Sequence, residues 1–296
     1  MKEIIDEYCW DKERKLFTHD HHNVPGIRNF AHYALHKAFP PVTEHFHSNI
    51  VEFHCLVKGR RVTRVGSRDY IITGRECFIT FPFEEHSTGE FPENPCEFYA
   101  FQINTLPVDL FLGLSDDLRD YLIDMLLHLP HRHYRISYND LQNLKASFDA
   151  LALGDSPDNV YLSLQYLCCF LFNLKNLEPI LEKRDPYTSP GIQKCIDYIE
   201  QHYKEPISLS ALAKISGYSL SSFKVKFKDI IGITPAEYIT LRKIEYAKHT
   251  LKSQNQSITD LAFELGFSSS NYFCTVFKKY TNLTPSRYSL QYRSEL

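Results

Sequence analysis

The sequence predicts an α+β multidomain protein: an N-terminal antiparallel β-barrel, a helical connector and a C-terminal all-α region. Three observations lead to this prediction. A chain of 296 residues exceeds what one hydrophobic core usually encloses. Runs of Val, Ile, Phe and Tyr between turn-forming residues predict strands in the first part. Apolar residues spaced three and four apart predict helices from Ser115 onwards. We expect the barrel at 1–110, the connector at 111–181, a linker at 182–190 and the all-α region at 191–296.

Strand-forming residues between about 40 and 105 are interrupted at regular intervals. The interruptions are Gly59, Gly66 with Ser67, Gly74 and Pro82. Breakers every seven or eight residues are typical of short antiparallel strands, and we expect these strands to close into a small barrel.

Three helices are predicted between the barrel and the linker. The first covers about 115–128, the second starts after Asn139 as its N-cap, and the third starts near Pro157. The second helix has one apolar face, made of Leu141, Leu144, Phe148 and Leu151.

The third helix carries more apolar surface than one packing partner needs. One stripe alternates spacings of four and three, as a coiled-coil seam does: Val160, Leu164, Leu167, Leu171 and Leu174. Further apolar residues, Tyr161, Leu162, Phe170 and Phe172, lie on other faces. We therefore predict that one face packs within its own domain and that the seam joins two subunits of a homodimer. The alternative is a helix buried in a bundle.

Charge is distributed unevenly along the chain. Residues 189–296 contain 14 Lys and Arg against 9 Asp and Glu, whereas residues 1–188 contain 19 against 27. A basic part within an acidic chain suggests that this part meets phosphates. No apolar run is long enough to span a bilayer, and the opening residues alternate in charge, so we expect a cytoplasmic protein with no membrane partner.

The eight cysteines form no C-x-x-C pair, which argues against a disulfide framework and against a thiolate zinc site. We expect reduced and mostly buried thiols. For the adjacent Cys168 and Cys169, a structural role is favoured over oxidation sensing because their neighbours are apolar.

The C-terminal part repeats itself. The segment L-A-K-I-S-G-Y-S (212–219) recurs as L-A-F-E-L-G-F-S (261–268), and F-K-V-K-F-K (223–228) recurs as F-C-T-V-F-K (273–278). The offset is 49 residues for the first pair and 50 for the second. One additional residue therefore lies within the second copy.

Each copy contains the parts of a helix-turn-helix. Ser208 and Ser257 are suited to cap a first helix, and Gly217 and Gly266 permit a tight turn after it. A second helix then places two phenylalanines, four residues apart, on its buried side. These pairs are Phe223 with Phe227 and Phe273 with Phe277.

The opposite side of each second helix is free to enter a major groove, where hydroxyl, amide and lysine groups can bond base edges or phosphates. In the first copy the candidates are Ser221, Ser222, Lys224, Val225 and Lys228. In the second copy they are Ser270, Asn271, Tyr272, Thr275 and Lys279. Backbone contacts are expected from Lys226, Lys278 and Arg287. A helix over about 235–252, roughly 27 Å long, would hold both units on one side of the DNA.

The duplicated segment resembles the AraC family of bacterial transcription regulators. The stretch G-F-S-S-S-N-Y-F-C-T-V-F-K-K-Y (266–280) is specific to that family, and the match covers about 190–290. The resemblance implies double-stranded DNA and RNA polymerase as partners. It also implies a homodimer and an N-terminal barrel that takes a small polar effector, with a carbohydrate as the suggested class. A helical bundle that meets only protein is the alternative, which two copies on the basic segment disfavour.

The chain departs from the family pattern at three positions. Val225 and Thr275 stand where a basic residue is common, and Asn282 stands where a glycine usually follows. We therefore expect base recognition to depend more on polar neighbours. These are Lys224, Ser270 and Asn271.

The stretch H-F-H-S-N-I-V-E (45–52) and a later histidine resemble the first motif of the cupin superfamily. That resemblance implies a divalent metal held by His45, His47, Glu52 and His86, and this donor set would suit Fe, Mn, Ni or Zn. The second cupin motif is degraded, with Glu84 where a glycine is expected. We therefore favour these four residues as a site for an organic effector, with no cofactor.

Three functions remain open at this stage. The favoured one is a ligand-responsive transcription regulator without enzymatic activity. The second is a metal-dependent cupin enzyme fused to a DNA-binding module, and the third is a regulator that binds DNA independently of any ligand.

Overall fold

In a computed structural model of the chain, the described residues are 8–22, 24–89, 93–106, 108–181, 189–253 and 256–292. The chain divides into two compact units, one built mainly from residues up to 181 and the other mainly from residues after 189. Most of the predicted linker, residues 182–188, lies outside the described residues.

The N-terminal unit contains an antiparallel sheet of ten strands, as the sequence predicted for its fold class. The strands are β1 (Cys9–Trp10), β2 (Arg14–Thr18), β3 (Ile27–Ala34), β4 (Ile50–Val65), β5 (Arg68–Thr73), β6 (Glu76–Thr80), β7 (His86–Ser87), β8 (Cys96–Asn104), β9 (His133–Arg135) and β10 (Glu178–Pro179). Their order is β1-β2-β3-β8-β4-β6-β9-β10. Strand β4 is central because its first half pairs with β6 and β8, and its second half pairs with β5 and β7.

Gly59 does not end a strand, contrary to the prediction. It lies inside β4 at φ +95°, next to a register shift between Leu56 and Lys58 on the edge shared with β8. A glycine at positive φ in an irregular register is typical of a bulge, which lets one long strand change direction. The predicted turn at Gly66 is confirmed, since it connects β4 to β5.

Among the residues that the structure describes, four α-helices belong to this unit. They are α1 (His19–His22), α2 (Asp116–Leu127), α3 (Tyr138–Ala152) and α4 (Pro157–Asn173). The N-cap of α3 is Ser137 and not Asn139, because Ser137 and Asp140 form a reciprocal capping box. The predicted apolar face of α3 is confirmed as buried: Leu141, Leu144, Phe148 and Leu151.

Helices and sheet share a single core. Phe30, Phe53 and Phe101 of the sheet pack with Phe148 of α3 and Phe170 of α4. Strands β9 and β10 extend the sheet from within the segment predicted as a separate connector. Barrel and connector are thus one folding unit, because the helices cover a face of the sheet that would otherwise be exposed to water.

The predicted dimer seam on α4 lies in this core. Its residues Leu164, Leu167, Leu171 and Leu174 are buried, and Val160 packs against the same cluster. These side chains are therefore occupied within the subunit and do not offer a seam to a second copy. The period of the stripe is correct for a buried helix face, and sequence alone does not tell which partner covers it.

In its described ranges, 189–253 and 256–292, the C-terminal unit contains seven helices: α5 (Pro190–His202), α6 (Leu209–Ser216), α7 (Leu220–Ile231), α8 (Pro235–Ser253), α9 (Ile258–Glu264), α10 (Ser270–Thr281) and α11 (Pro285–Tyr292). We call α6 with α7 the first repeat unit, and α9 with α10 the second. The first packs on α5, the second on α8 and α11, and each has its own apolar cluster. No helix among the described residues is long and apolar enough to cross a bilayer.

Candidate DNA interface and imidazole site

Glu52 is the centre of a buried polar site in the N-terminal unit. Its position in β4 is opposite Thr80 of β6 and Gln102 of β8. The Gln102 amide donates to Oε1 of Glu52 at 2.9 Å, and the Thr80 hydroxyl donates to Oε2 at 3.4 Å. His86 approaches Oε2 through Nε2 at 3.0 Å. The carboxylate therefore accepts three hydrogen bonds inside the protein.

His45 and His86 are held side by side by their own backbones. The amide of each donates to the carbonyl of the other, at 3.0 and 2.9 Å. Their ring centroids are 4.3 Å apart, and His47 lies 5.0 Å from His45 and 5.4 Å from His86. One ligand atom from each of the three histidines falls within 4.8 Å of the others. We call these residues and Glu52 the imidazole site.

The hydrogen bonds define the protonation of His86. Its Nδ1 lies 2.9 Å from the carbonyl oxygen of Glu84, and its Nε2 lies next to the Glu52 carboxylate. Both partners only accept, so both ring nitrogens carry a proton and the ring is a cation. Burial acts to lower the pKa of His86, but the hydrogen bond and charge of Glu52 outweigh it and raise that pKa.

The other imidazoles are neutral. Burial lowers the pKa of His45, lowers that of His47 to about 4 and lowers that of His54 to about 3. Burial alone would raise the pKa of Glu52, yet the hydrogen bond and positive charge of His86 hold it well below its ordinary value. The site therefore contains one buried ion pair among uncharged rings.

All four residues predicted for this site come together, but sequence reasoning missed two others. His54 lies 3.9 Å from Glu52 through Nε2 and Oε1. Because alternate residues of a strand share a face, its position two residues after Glu52 was an available signal. Gln102 gave no such signal, since its place opposite Glu52 depends on how β8 pairs with β4.

The two repeat units have the local geometry that the sequence predicts. Ser208 accepts a hydrogen bond from the Ala211 amide, and Ser257 accepts one from the Asp260 amide, so both cap their helices. Gly217 and Gly266 have φ of +76° and +66°. The four phenylalanines of α7 and α10 are fully buried. The extra residue of the second copy is Ser268, in its turn, because α7 is capped by Ser219 and α10 by Ser269.

The buried phenylalanines turn the opposite faces of α7 and α10 towards solvent. Of the predicted DNA-contacting residues, all except the half-buried Ser270 are exposed: Ser221, Ser222, Lys224, Val225, Lys226, Lys228, Asn271, Tyr272, Thr275, Lys278, Lys279 and Arg287. Two more exposed apolar residues of the repeat units were not predicted from the sequence: Leu220 of α7 and Phe263 of α9.

Comparisons with known proteins match these repeat units. Residues 212–291 match the family model described as a helix-turn-helix domain. An HTH-type transcriptional regulator of Staphylococcus aureus is 37% identical over 97 residues, which are 33% of this chain and 13% of that protein. The transcriptional activator RhaS of Escherichia coli O6:H1 is 23% identical over 259 residues, covering 83% of this chain and 86% of that protein.

Residues 212–291 form a helix-turn-helix domain of the AraC type. The resemblance predicted from the repeat is thereby confirmed. The chain spans only about an eighth of the length of the S. aureus relatives that it matches. Among solved structures, ToxT from Vibrio cholerae aligns over 96% of this chain and 100% of that chain, at 15% identity and a TM-score of 0.36.

Within the helix-turn-helix domain, α7 and α10 are the second helices of the two units. In this motif the second helix is the one that enters the major groove, and we call α7 and α10 the recognition helices. Both begin at a serine N-cap, and each serine side chain accepts a hydrogen bond from the third amide of its helix, so the two helices start alike.

Proposed function

We propose that this protein is a transcription regulator that binds double-stranded DNA through both recognition helices and responds to a small polar molecule bound in its N-terminal unit. The observation that carries the proposal is the duplicated unit itself. Each copy buries its phenylalanines and exposes a face of hydroxyl, amide and lysine groups. Such a face has the donors and acceptors that base edges and phosphates require.

Exposed lysines supply the electrostatic part of binding. Lys224, Lys226 and Lys228 lie on α7, and Lys278 and Lys279 lie on α10. Lysines on phosphates displace condensed counterions, so affinity falls steeply as salt rises. Helix α8, 19 residues long, connects the units and would keep the recognition helices on one side of the duplex.

Selection of binding sites from a random duplex library by the full-length protein tests the DNA part of the proposal. We expect one enriched sequence, bound at least a thousandfold more tightly than random competitor at the same salt concentration. Equal affinity for enriched and random duplexes would exclude a sequence-specific regulator.

A pocket of about 620 Å³ beside the imidazole site supports the effector part. Ser48 and Asn49, which directly follow His47, line it together with Arg28 and Asn104. Asn104 accepts a hydrogen bond from the Leu106 amide through Oδ1, which leaves its amide group as a donor. A polar molecule the size of a monosaccharide fits this volume, and the carbohydrate class remains our prediction for it.

The imidazole site itself is too tight for a sugar. Its ring centroids are 4.3 to 5.4 Å apart. A molecule inserted between two rings needs about 7 Å, since each contact takes roughly 3.5 Å. We therefore infer that an organic effector would lie in the neighbouring pocket and not among the histidines.

Thermal unfolding of the protein with a panel of sugars and small organic acids tests this effector. Binding to the folded state raises the Tm. At a ligand concentration one hundred times Kd, the folded state gains about 2.7 kcal/mol of stability. N104A should abolish the shift, whereas N159A, at the start of α4, should keep it. If no compound changes Tm or DNA affinity, the effector part of the proposal is wrong, and the protein is better described as a regulator that binds DNA independently of any ligand.

A second candidate, control by a divalent metal, is favoured by the imidazole site. Three histidines converge within 4.8 Å, two of them hold depressed pKa values, and neutral imidazole is the form that binds metals. Nδ1 of His47 is buried without a hydrogen-bond partner among the described residues. The residues fit a first-row divalent ion that displaces the Nε2 proton of His86, with Glu52 as an oxygen donor.

Calorimetric titration of chelator-treated protein with Zn²⁺, Ni²⁺ and Mn²⁺ tests the metal. We expect one ion per chain for wild type and none for H47A. H128A removes an exposed histidine on the end of α2 and should bind like wild type. If H47A and H128A bind the metal equally, the imidazole site is not where the metal binds.

A homodimer and contact with RNA polymerase complete the proposal. Because the predicted seam is buried, a dimer contact on α4 would use its exposed apolar side chains, Tyr161 and Leu162. They lie near a groove lined by Gln165, Cys169 and Phe172. RNA polymerase is proposed from the AraC type of the DNA-binding domain alone.

A further inference from the structure

Val225 and Thr275 occupy the same place in the two recognition helices. Each is the sixth residue after its N-cap, Ser219 in α7 and Ser269 in α10. Each lies midway between the two buried phenylalanines of its helix, so its side chain faces away from the core. Val225 is 60% exposed, and Thr275 is exposed as well.

The two side chains offer the same chemical group. Val225 presents methyl groups only. The Thr275 hydroxyl donates to the Asn271 carbonyl oxygen one turn earlier, at 3.0 Å. Its hydrogen is thus committed within the helix, so Thr275 offers a partner its γ-methyl group and the acceptor lone pairs of its hydroxyl oxygen. The group that the two positions share is therefore a methyl.

Both methyl groups are surrounded by polar neighbours. One turn away from Val225 lie Ser221, Ser222 and Lys228, all exposed. Around Thr275 lie Asn271, Tyr272, Lys278 and Lys279, also exposed. A single methyl in a cationic face is too small to dock a protein partner, since docking patches are contiguous and apolar.

The major groove contains one apolar group, the C5-methyl of thymine. We propose that Val225 and Thr275 each contact a thymine methyl, so that both units recognise thymine at equivalent points of their half-sites. This inference rests on the proposed DNA binding. Side chains flanking each methyl would bond neighbouring base edges and phosphates.

Replacing thymine by deoxyuridine removes only the methyl group and keeps base pairing. In the duplex recovered by site selection, each thymine is replaced in turn and the affinity of the full-length protein is measured at constant salt. We expect one thymine in each half where the replacement weakens binding about fourfold, the effect of losing one buried methyl.

Matched variants assign each thymine to its residue. V225S should abolish the deoxyuridine effect in one half, and T275S should abolish it in the other. T275V keeps the methyl and should retain the effect. Serine has nearly the helix propensity of valine and threonine, so the exposed replacements should leave Tm unchanged.

The outcomes separate this inference from the proposed function. If no sequence is enriched, the DNA-binding function fails and the inference fails with it. If a sequence is enriched but wild type ignores every deoxyuridine, the thymine contacts are wrong while the function stands. Full deoxyuridine sensitivity in both V225S and T275S would overturn the assignment to these residues.

Discussion

Two glycines at matching turns, Gly217 and Gly266, differ in what surrounds them. Both have positive φ, where a side chain strains the backbone. A Cβ at Gly217 would meet nothing within 4 Å, whereas one at Gly266 would lie 2.9 Å from the Lys204 carbonyl oxygen. The second turn therefore packs closely against the backbone just after the end of α5, whereas a side chain at the first turn would meet no neighbour.

We expect G217A to lower the free energy of unfolding by about 1 kcal/mol from backbone strain alone. G266A adds a backbone clash and should cost about 2–3 kcal/mol. Urea unfolding of both variants measures the difference. Equal losses would contradict the close approach of Lys204.

Glu97 contributes a pH-dependent part of stability. It pairs with His32 at 3.2 Å and with Lys58 at 2.7 Å. The hydrogen bond from His32, together with Lys58, lowers the pKa of Glu97 to about 2 against the opposing effect of burial. A carboxyl with a depressed folded-state pKa stabilises the protein above its unfolded pKa of about 4.5, and the contribution is lost as pH falls towards 2.

E97Q should therefore destabilise the protein by roughly 1–3 kcal/mol at pH 7. The difference from wild type should shrink below pH 4.5. Urea titrations at pH 7 and pH 3 measure it, with D155N, at an exposed loop residue, as the control. A gap that persists unchanged at pH 3 would rule out the ion pair as its cause.

At the residue scale, sequence patterns were informative where the motif is local. The caps Ser208 and Ser257, both turn glycines and the buried phenylalanines follow from spacing along one helix or turn. Gln102 could not be predicted, because its contact with Glu52 joins residues 50 positions apart through strand register.

In the proposed complex with DNA, the recognition helices would make two kinds of contact that respond differently to substitution. In α10, Asn271 and Lys278 are both exposed and lie two helical turns apart on the same face. A lysine on phosphate positions the helix without regard to sequence, and an amide on a base edge discriminates.

K278A should weaken all duplexes about equally and reduce the slope of log K against log salt by about one. N271A should instead cost about 1–3 kcal/mol on the preferred sequence and change the base preferred at one position. Binding measured on the selected duplex and on its single-base variants, at several salt concentrations, distinguishes them. The opposite pattern would reverse these two roles.

At the element scale, helix boundaries were predictable and helix partners were not. Helices α2 and α8 begin and end within a few residues of the sequence prediction, and α4 begins where the sequence predicts. The seam on α4 has the spacing of a coiled coil, yet Leu167 and its neighbours pack under the sheet. Periodicity identifies an apolar face, and only tertiary structure determines what covers it.

For the whole molecule, the exposed side of α4 makes the dimer testable. Tyr161 is 65% exposed, whereas Leu167 is fully buried in the subunit. We expect Y161E to convert a dimer to a monomer in light scattering while its circular dichroism spectrum stays that of the wild type. L167A should lower Tm by removing core packing, at a cost of about 2–5 kcal/mol. A dimer that persists in Y161E would place the contact elsewhere.

The domain plan was predictable only in outline. The charge distribution and the repeat predict the C-terminal unit as a separate domain. This prediction was possible because each repeat unit packs against helices that are near it in the sequence. The predicted border between barrel and connector was misplaced, since β9 and β10 rejoin the sheet after long excursions along the chain. Pairings of that kind leave no periodic trace in the sequence.

Ser268, the single additional residue in the second turn, makes the two halves of the domain non-identical. Their surfaces differ as well: α10 has Cys274 and Val276 at the places of Lys224 and Lys226, and Asn271 and Tyr272 at the places of Ser221 and Ser222. Two unlike surfaces joined in a fixed order have no twofold symmetry. One domain would therefore bind an asymmetric DNA site in a single orientation. Inverting that site in the DNA should reverse the direction in which the bound protein is oriented relative to the flanking genes.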